Sequence, residues 1–220
     1  MTDDPAMTRR PIRSRSSRWA SAVASALARR RITPNSISVA SVVFSLAAAL
    51  AFAATARVDS SWMRAILYLT AIPLVVLRLL ANLFDGMVAV EGGLRGPSGE
   101  VYNELPDRLS DALIFVGAGY GASAWPWAPA MGWAAAVAAL MTAYVRALGA
   151  SVGSGQDFSG PMAKPQRMWL VMAGGLIASG EAIAGLPARA MPIALAAIAA
   201  GAFLTTARRS IRLIRKLESR

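Results

Sequence analysis

Apolar runs long enough to cross a lipid bilayer constrain this chain more than any other feature. Residues 37–56 contain no charged side chain, and about twenty such residues, rising 1.5 Å each as a helix, span a hydrocarbon core of roughly 30 Å. Further helical runs are read over 65–90, 103–121, 128–148, 168–186 and 190–207. The expected fold class is therefore all-α: a polytopic membrane protein with six transmembrane helices. Mean hydropathy of +0.47 with only 16% charged residues fits a single membrane domain over 32–207.

The flanks are polar. Residues 1–17 are rich in Arg and Ser and are expected to be disordered. Residues 18–31 read as an amphipathic helix lying on the membrane surface, with Trp19, Val23 and Leu27 on one side and Arg29 to Arg31 closing it. Together, 1–31 form an arm and interfacial helix, and 208–220 form a basic tail. Thr33 and Pro34 suit the cap and first turn of the first spanning helix. Gly117 and Gly121 give the third a small-xxx-small face for close packing.

Six spans put both termini on one side. Arg and Lys concentrate on that side, leaving only Arg57, Arg64 and Arg189 opposite, so both termini are expected in the cytoplasm, with Trp62, Trp125 and Trp127 at the far interface. Glu181 then falls on that far side as a solvated loop residue. The net charge of +11 gathers at the ends and in short loops. This favours anionic lipid headgroups as partners over nucleic acid, for which no interleaved aromatic and basic pattern is present. The chain has no cysteine, hence no disulfide.

Six of the twelve carboxylates lie between Arg78 and Asp111: Asp85, Glu91, Glu100, Glu104, Asp107 and Asp111. A carboxylate at or below a membrane surface is costly unless it is paired or holds a cation, which makes this stretch the candidate site. At helical spacing, Arg78, Asn82, Asp85 and Ala89 share one face, as do Asn103, Asp107 and Asp111. Two antiparallel helices would turn Asn82, Asp85, Asn103 and Asp107 toward one point, with Gly86 and Ala89 leaving room for a ligand to approach. With neither His nor Cys in the chain, a metal here has hard oxygen ligands, which suits Mg²⁺, Mn²⁺ or Ca²⁺ and not zinc. The competing view is that these residues merely plug a helix interface.

The same residues resemble the signature of the CDP-alcohol phosphotransferases, integral membrane enzymes of phospholipid synthesis: DxxDGxxAR, eight residues, then GxxxDxxxD. Here the register runs Asn82, Asp85, Gly86, Ala89, Val90, eight residues, Gly99, Asn103, Asp107, with no gap. Asp85, Gly86, Ala89, Gly99 and Asp107 match it. Asn82 and Asn103 stand where the family has Asp, and Val90 where it has Arg. The segment 32–38 also resembles the element that opens the family's first transmembrane helix.

The resemblance implies transfer of a phosphatidyl or related phospho-alcohol group from a CDP-linked donor to a small alcohol, with release of CMP. It implies Mg²⁺ or Mn²⁺ held by Asn82, Asp85, Asn103 and Asp107, with Asp107 as catalytic base and Gly86, Ala89 and Gly99 beside the nucleotide. A homodimer and a bacterial inner membrane follow from it too. The two Asn remove two negative charges from the ligand set; Glu104, Glu100 or Asp111 would compensate, or one ion is bound where relatives bind two. The alternative is a non-catalytic relative that binds a CDP-lipid or serves as a membrane partner.

Two further groups are singled out. Arg146, Lys164 and Arg167 would cradle a phosphorylated acceptor, although positive-inside residues are expected there in any case. Arg78 lies seven residues before Asp85, roughly 10 Å deeper along the helix, and Asp111 one turn deeper than Asp107. They are expected to meet as a buried ion pair supporting the site.

Overall fold

The computed structural model describes residues 17–91, 93 and 98–219. The polar arm 1–16, Arg95 and the side chains of Glu91 and Glu100 lie outside the described residues. Among the described residues seven α-helices follow one another: α1 (Arg18–Arg29), α2 (Pro34–Ala54), α3 (Ser61–Glu91), α4 (Gly99–Gly121), α5 (Ala128–Ser151), α6 (Lys164–Ile183) and α7 (Ala190–Glu218). A 3-10 turn, Thr55–Arg57, extends α2, and no strand occurs among the described residues.

The start of α2 follows from local chemistry. Pro34 fixes the first turn, and the Thr33 hydroxyl accepts the otherwise orphaned N–H of Ser36 at 3.2 Å. Buried positions of α2 include Ser38, Ser41, Ser45 and Ala48, whereas Val39, Val43, Leu46 and Leu50 point outward. Small residues inside and large apolar ones outside invert the pattern of a water-soluble helix and suit a bundle solvated by lipid. The bundle pairs α2 with α3 and α4, α5 with α4 and α7, and α6 with α3 and α7. Phe52, Tyr68, Phe115, Met168, Met191 and Leu195 fill its centre. Beside it, α1 packs Ala20 and Ala24 inward, and Trp19 meets Phe84 edge-on with ring centroids 5.9 Å apart.

Among the described residues, four helices are long and apolar enough to cross a membrane: α2 with its turn (Pro34–Arg57), α3 over Ser61–Val90, α5 and α7. The six spans expected from sequence are therefore not all met. α4 carries Glu104, Asp107, Arg108 and Asp111, and α6 opens on Lys164 and Arg167, charges that dilute the hydropathy of both. Residues 208–218, set apart in sequence as a basic tail, continue α7 as one helix. Glu181 is not a loop residue. It sits in α6, and its Oε2 accepts the backbone N–H of Ala190 at 3.1 Å, satisfying an orphan donor at the start of α7.

Gly117 and Gly121 bring α4 against α2. A Cβ on Gly117 would lie 2.5 Å from the Ala49 carbonyl oxygen, and one on Gly121 would overlap the Phe52 carbonyl. Backbone cannot yield as a flexible side chain does, so Gly117→Val is expected to destabilise by at least the ~1–3 kcal/mol typical of overpacking. A fall in melting temperature in detergent checks it. A wild-type melting curve would mean that the close approach of α2 and α4 is not required.

Candidate active site

Side chains from two helices meet here, and a third helix joins them. From α3 come Arg78, Asn82 and Asp85; from α4 come Asp107 and Asp111; from the first turn of α6 come Lys164 and Arg167. The Asn82 side-chain amide donates to Asp107 Oδ1 at 2.7 Å, which joins the two halves of the motif. Asp85 is buried, accepts the Ser38 hydroxyl on Oδ2 at 2.7 Å and keeps Oδ1 buried without a hydrogen-bond partner. Ser38 escaped the sequence reading. Its signal was present: Ser38, Ser41 and Ser45 recur at i, i+3 and i+7, a polar stripe along an apolar helix.

Beneath lies an ion network. Arg78 has no exposed surface; its Nη2 donates to Asp111 Oδ1 at 2.6 Å and to Asp107 Oδ1 and the Asp107 carbonyl, each at 3.3 Å. The pair expected between Arg78 and Asp111 is thus formed. Arg167 completes it from α6, donating to Asp111 Oδ2 at 3.0 Å and to Thr142 Oγ1 at 3.1 Å. Arg209 on α7 is also buried, donating to the carbonyls of Ser159 and Thr142 at 2.8 Å each. Sequence gave no sign of this, because Arg209 falls among the other arginines of the last helix.

Lys164 lies over the motif. Its ammonium donates to Asn82 Oδ1 at 2.7 Å and to Asp107 Oδ2 at 2.5 Å. Arg146 goes elsewhere: its guanidinium donates to both oxygens of Glu104 at 2.6 Å and to Gln156 at 2.9 Å, and lies 5.3 Å over the Phe158 ring. Arg146, Lys164 and Arg167 therefore each engage a different carboxylate rather than converging on one point. Glu104 also holds Arg108 at 3.0 Å. Asn103 is exposed in the first turns of α4, and Gly99 begins that helix with open space around it. Gly86 and Ala89 continue the Asn82–Asp85 segment of α3, both half-buried.

The loop leading to Lys164 is tied to α7. Arg212 pairs with Asp157 at 2.9 Å, and Lys216 donates to the Ser154 carbonyl at 2.5 Å. Partial burial opposes ionisation of Asp157, but the hydroxyl and N–H of Ser159 and the charges of Arg212 and Arg209 outweigh it and hold this carboxyl below the usual range.

No three His, Cys, Asp or Glu groups surround a common point among the described residues. The oxygens that a cation would meet are those of Asp85 and Asp107 with the amide oxygen of Asn82. An unpartnered buried carboxylate oxygen on Asp85, and a pair of oxygens that already receives a compact ammonium, fit a hard cation.

No protein-family model matches the sequence, and no curated protein is significantly similar to it. Solved structures do share its fold. Phosphatidylinositol phosphate synthase of Mycobacterium tuberculosis with CDP-DAG bound aligns with a TM-score of 0.74 at 20% identity, over 90% of this chain and 94% of that one. The same synthase in complex with manganese and citrate gives 0.72 at 21% identity, over 89% and 88%. In its apo form it gives 0.65 at 20%, over 88% and 95%. The fold is thus shared with that synthase.

Proposed function

We propose that this chain is a membrane-embedded CDP-alcohol phosphotransferase that moves a phosphatidyl or related group from a CDP-linked lipid to the hydroxyl of a small alcohol. The observation that carries this reading is the hydrogen bond from Asn82 to Asp107, which unites the two motif halves beside Asp85. A fold shared with a synthase solved with CDP-DAG supports it. All of α2 to α7 cross the bilayer of a bacterial inner membrane in this reading, with the polar ends of α4 and α6 at the cytoplasmic face, where Arg and Lys concentrate. Two such chains pair as a homodimer.

In the reaction, the acceptor oxygen bonds to the lipid-bearing phosphorus while the bond from that phosphorus to the CMP oxygen breaks, and CMP leaves with the electron pair. The Asp107 carboxylate takes the acceptor's proton. Asp85, Asn82 and Asp107 would hold Mg²⁺ or Mn²⁺, with Asn103 the outermost donor. When bound, the ion neutralises pyrophosphate charge. Ser38 orients Asp85, while Arg78 and Arg167 fix Asp111 and, through Arg78, the backbone and carboxylate of Asp107. Gly86, Ala89 and Gly99 border the nucleotide, and Arg146 with Glu104 lines the approach of the acceptor.

The test is turnover by the purified chain with CDP-diacylglycerol, Mg²⁺ or Mn²⁺ and a panel of alcohols, scored as CMP release. CMP that depends on one acceptor supports the reading. Retained CDP-lipid binding with no CMP from any acceptor assigns the chain instead to the non-catalytic alternative, which Asn82 and Asn103 favour.

A further inference from the structure

The cation-binding oxygens of this site are already occupied by a cation of the chain itself. Lys164 Nζ contacts Asn82 Oδ1 at 2.7 Å and Asp107 Oδ2 at 2.5 Å, the two groups that join the motif halves. Its position is costly on other grounds. Lys164 begins α6, and a positive charge in the first turn opposes the helix dipole; the Asp107 carboxylate and the Asn82 amide oxygen opposite account for its turning inward. Its side chain retains 21% of its exposure, against 0% for Arg78 and 2% for Arg167. Of the three cations hydrogen-bonded to Asp107 and Asp111 it is the one with a path to solvent; Arg108, 19% exposed, stands farther off at 3.7 Å from Asp107 Oδ2.

Charge says the same. Asp107 and Asp111 are paired with Arg78, Lys164 and Arg167, and Arg108 lies 3.7 Å from Asp107, so with Asp85 three carboxylates stand against at least three cations. Glu104 above them is matched by Arg108 and Arg146. The cluster therefore has no surplus negative charge for an incoming divalent ion, unlike a ligand set in which Asn82 and Asn103 were both Asp. Two like charges a few ångströms apart repel even when partly screened.

We propose that Lys164 is a resident counter-cation that competes with a divalent metal ion for Asn82 and Asp107, so that the ion enters only as the Lys164 side chain leaves. Displacement frees the Asp107 carboxylate to accept a proton and turns the Lys164 ammonium toward the anionic substrate. The inference rests on the metal assignment of the proposed function, but its test does not need turnover.

Mn²⁺ binding to the purified protein in detergent, followed by loss of the free-ion electron paramagnetic resonance signal, compares wild type with Lys164→Met and Lys164→Arg. Lys164→Met is expected to bind Mn²⁺ about tenfold or more tightly, and Lys164→Arg, which keeps the charge, to stay near wild type. Equal or weaker binding by a Lys164→Met protein that melts cooperatively overturns the proposal, whether or not either protein releases CMP. Should that variant fail to fold, the wild type still decides. The chain has only two lysines, Lys164 and Lys216, so amine-reactive labelling read by mass spectrometry reports on Lys164 with Lys216 as internal reference. Saturating Mn²⁺ is expected to raise labelling of Lys164 alone; unchanged labelling rules the displacement out.

Discussion

Replacing Arg78 with Met is expected to remove most of the folded protein. Arg78 joins α3 to α4 through Asp111 at 2.6 Å and Asp107 at 3.3 Å, with no exposed surface. Met fills a similar volume but leaves two buried carboxylates short of their shared cation. Removing one partner of a buried pair typically costs about 3–5 kcal/mol, far more than the intact pair contributes over an apolar replacement. Most of a marginal protein's stability is of that size. The measurement is monodisperse yield and melting temperature in detergent. The double variant Arg78→Met, Asp111→Leu is expected to recover part of the loss, because it removes an unpaired charge along with its partner. Wild-type yield from Arg78→Met alone would show that the pair is dispensable and that Arg167 suffices for Asp111.

Asp107→Asn is expected to produce the opposite signature, a folded protein that has lost its activity. The change keeps the side chain's shape but leaves one acceptor oxygen, so either Lys164 on Oδ2 or Arg78 and Asn82 on Oδ1 loses its side-chain acceptor there; Arg78 stays paired with Asp111, and the melting temperature should move less than that of Arg78→Met. Among the described residues it removes the only carboxylate that touches Asn82, Lys164 and Arg78 together. General-base catalysis is commonly worth about 10²–10⁴-fold, and CMP release should fall by at least that range, because the same substitution also weakens the cation site. CMP release at the wild-type rate would transfer the base to another group.

Both results follow from a division of labour that periodicity made visible. Helical spacing alone put Arg78, Asn82 and Asp85 on one face and Asp107 and Asp111 on another, and the signature resemblance set the two halves in register. The Arg78–Asp111 pair and the close approach at Gly117 and Gly121 were legible for the same reason: a helix repeats every 3.6 residues, so its inward face can be read from the chain. Element ends were less legible. Polar first turns hide helix starts, and α4 begins at Gly99 and α6 at Lys164, each four residues ahead of the apolar run that announced it.

By itself, then, the sequence determined a lipid-solvated helical bundle and the paired faces of α3 and α4, because both depend on composition and spacing within single helices. Tertiary structure alone decided that Lys164, 57 residues beyond Asp107, reaches the motif. It also decided that Ser38 holds Asp85 and that Arg167 and Arg209 are buried rather than exposed. Those contacts depend on which helices become neighbours, and the periodicity of one helix carries no information about the next.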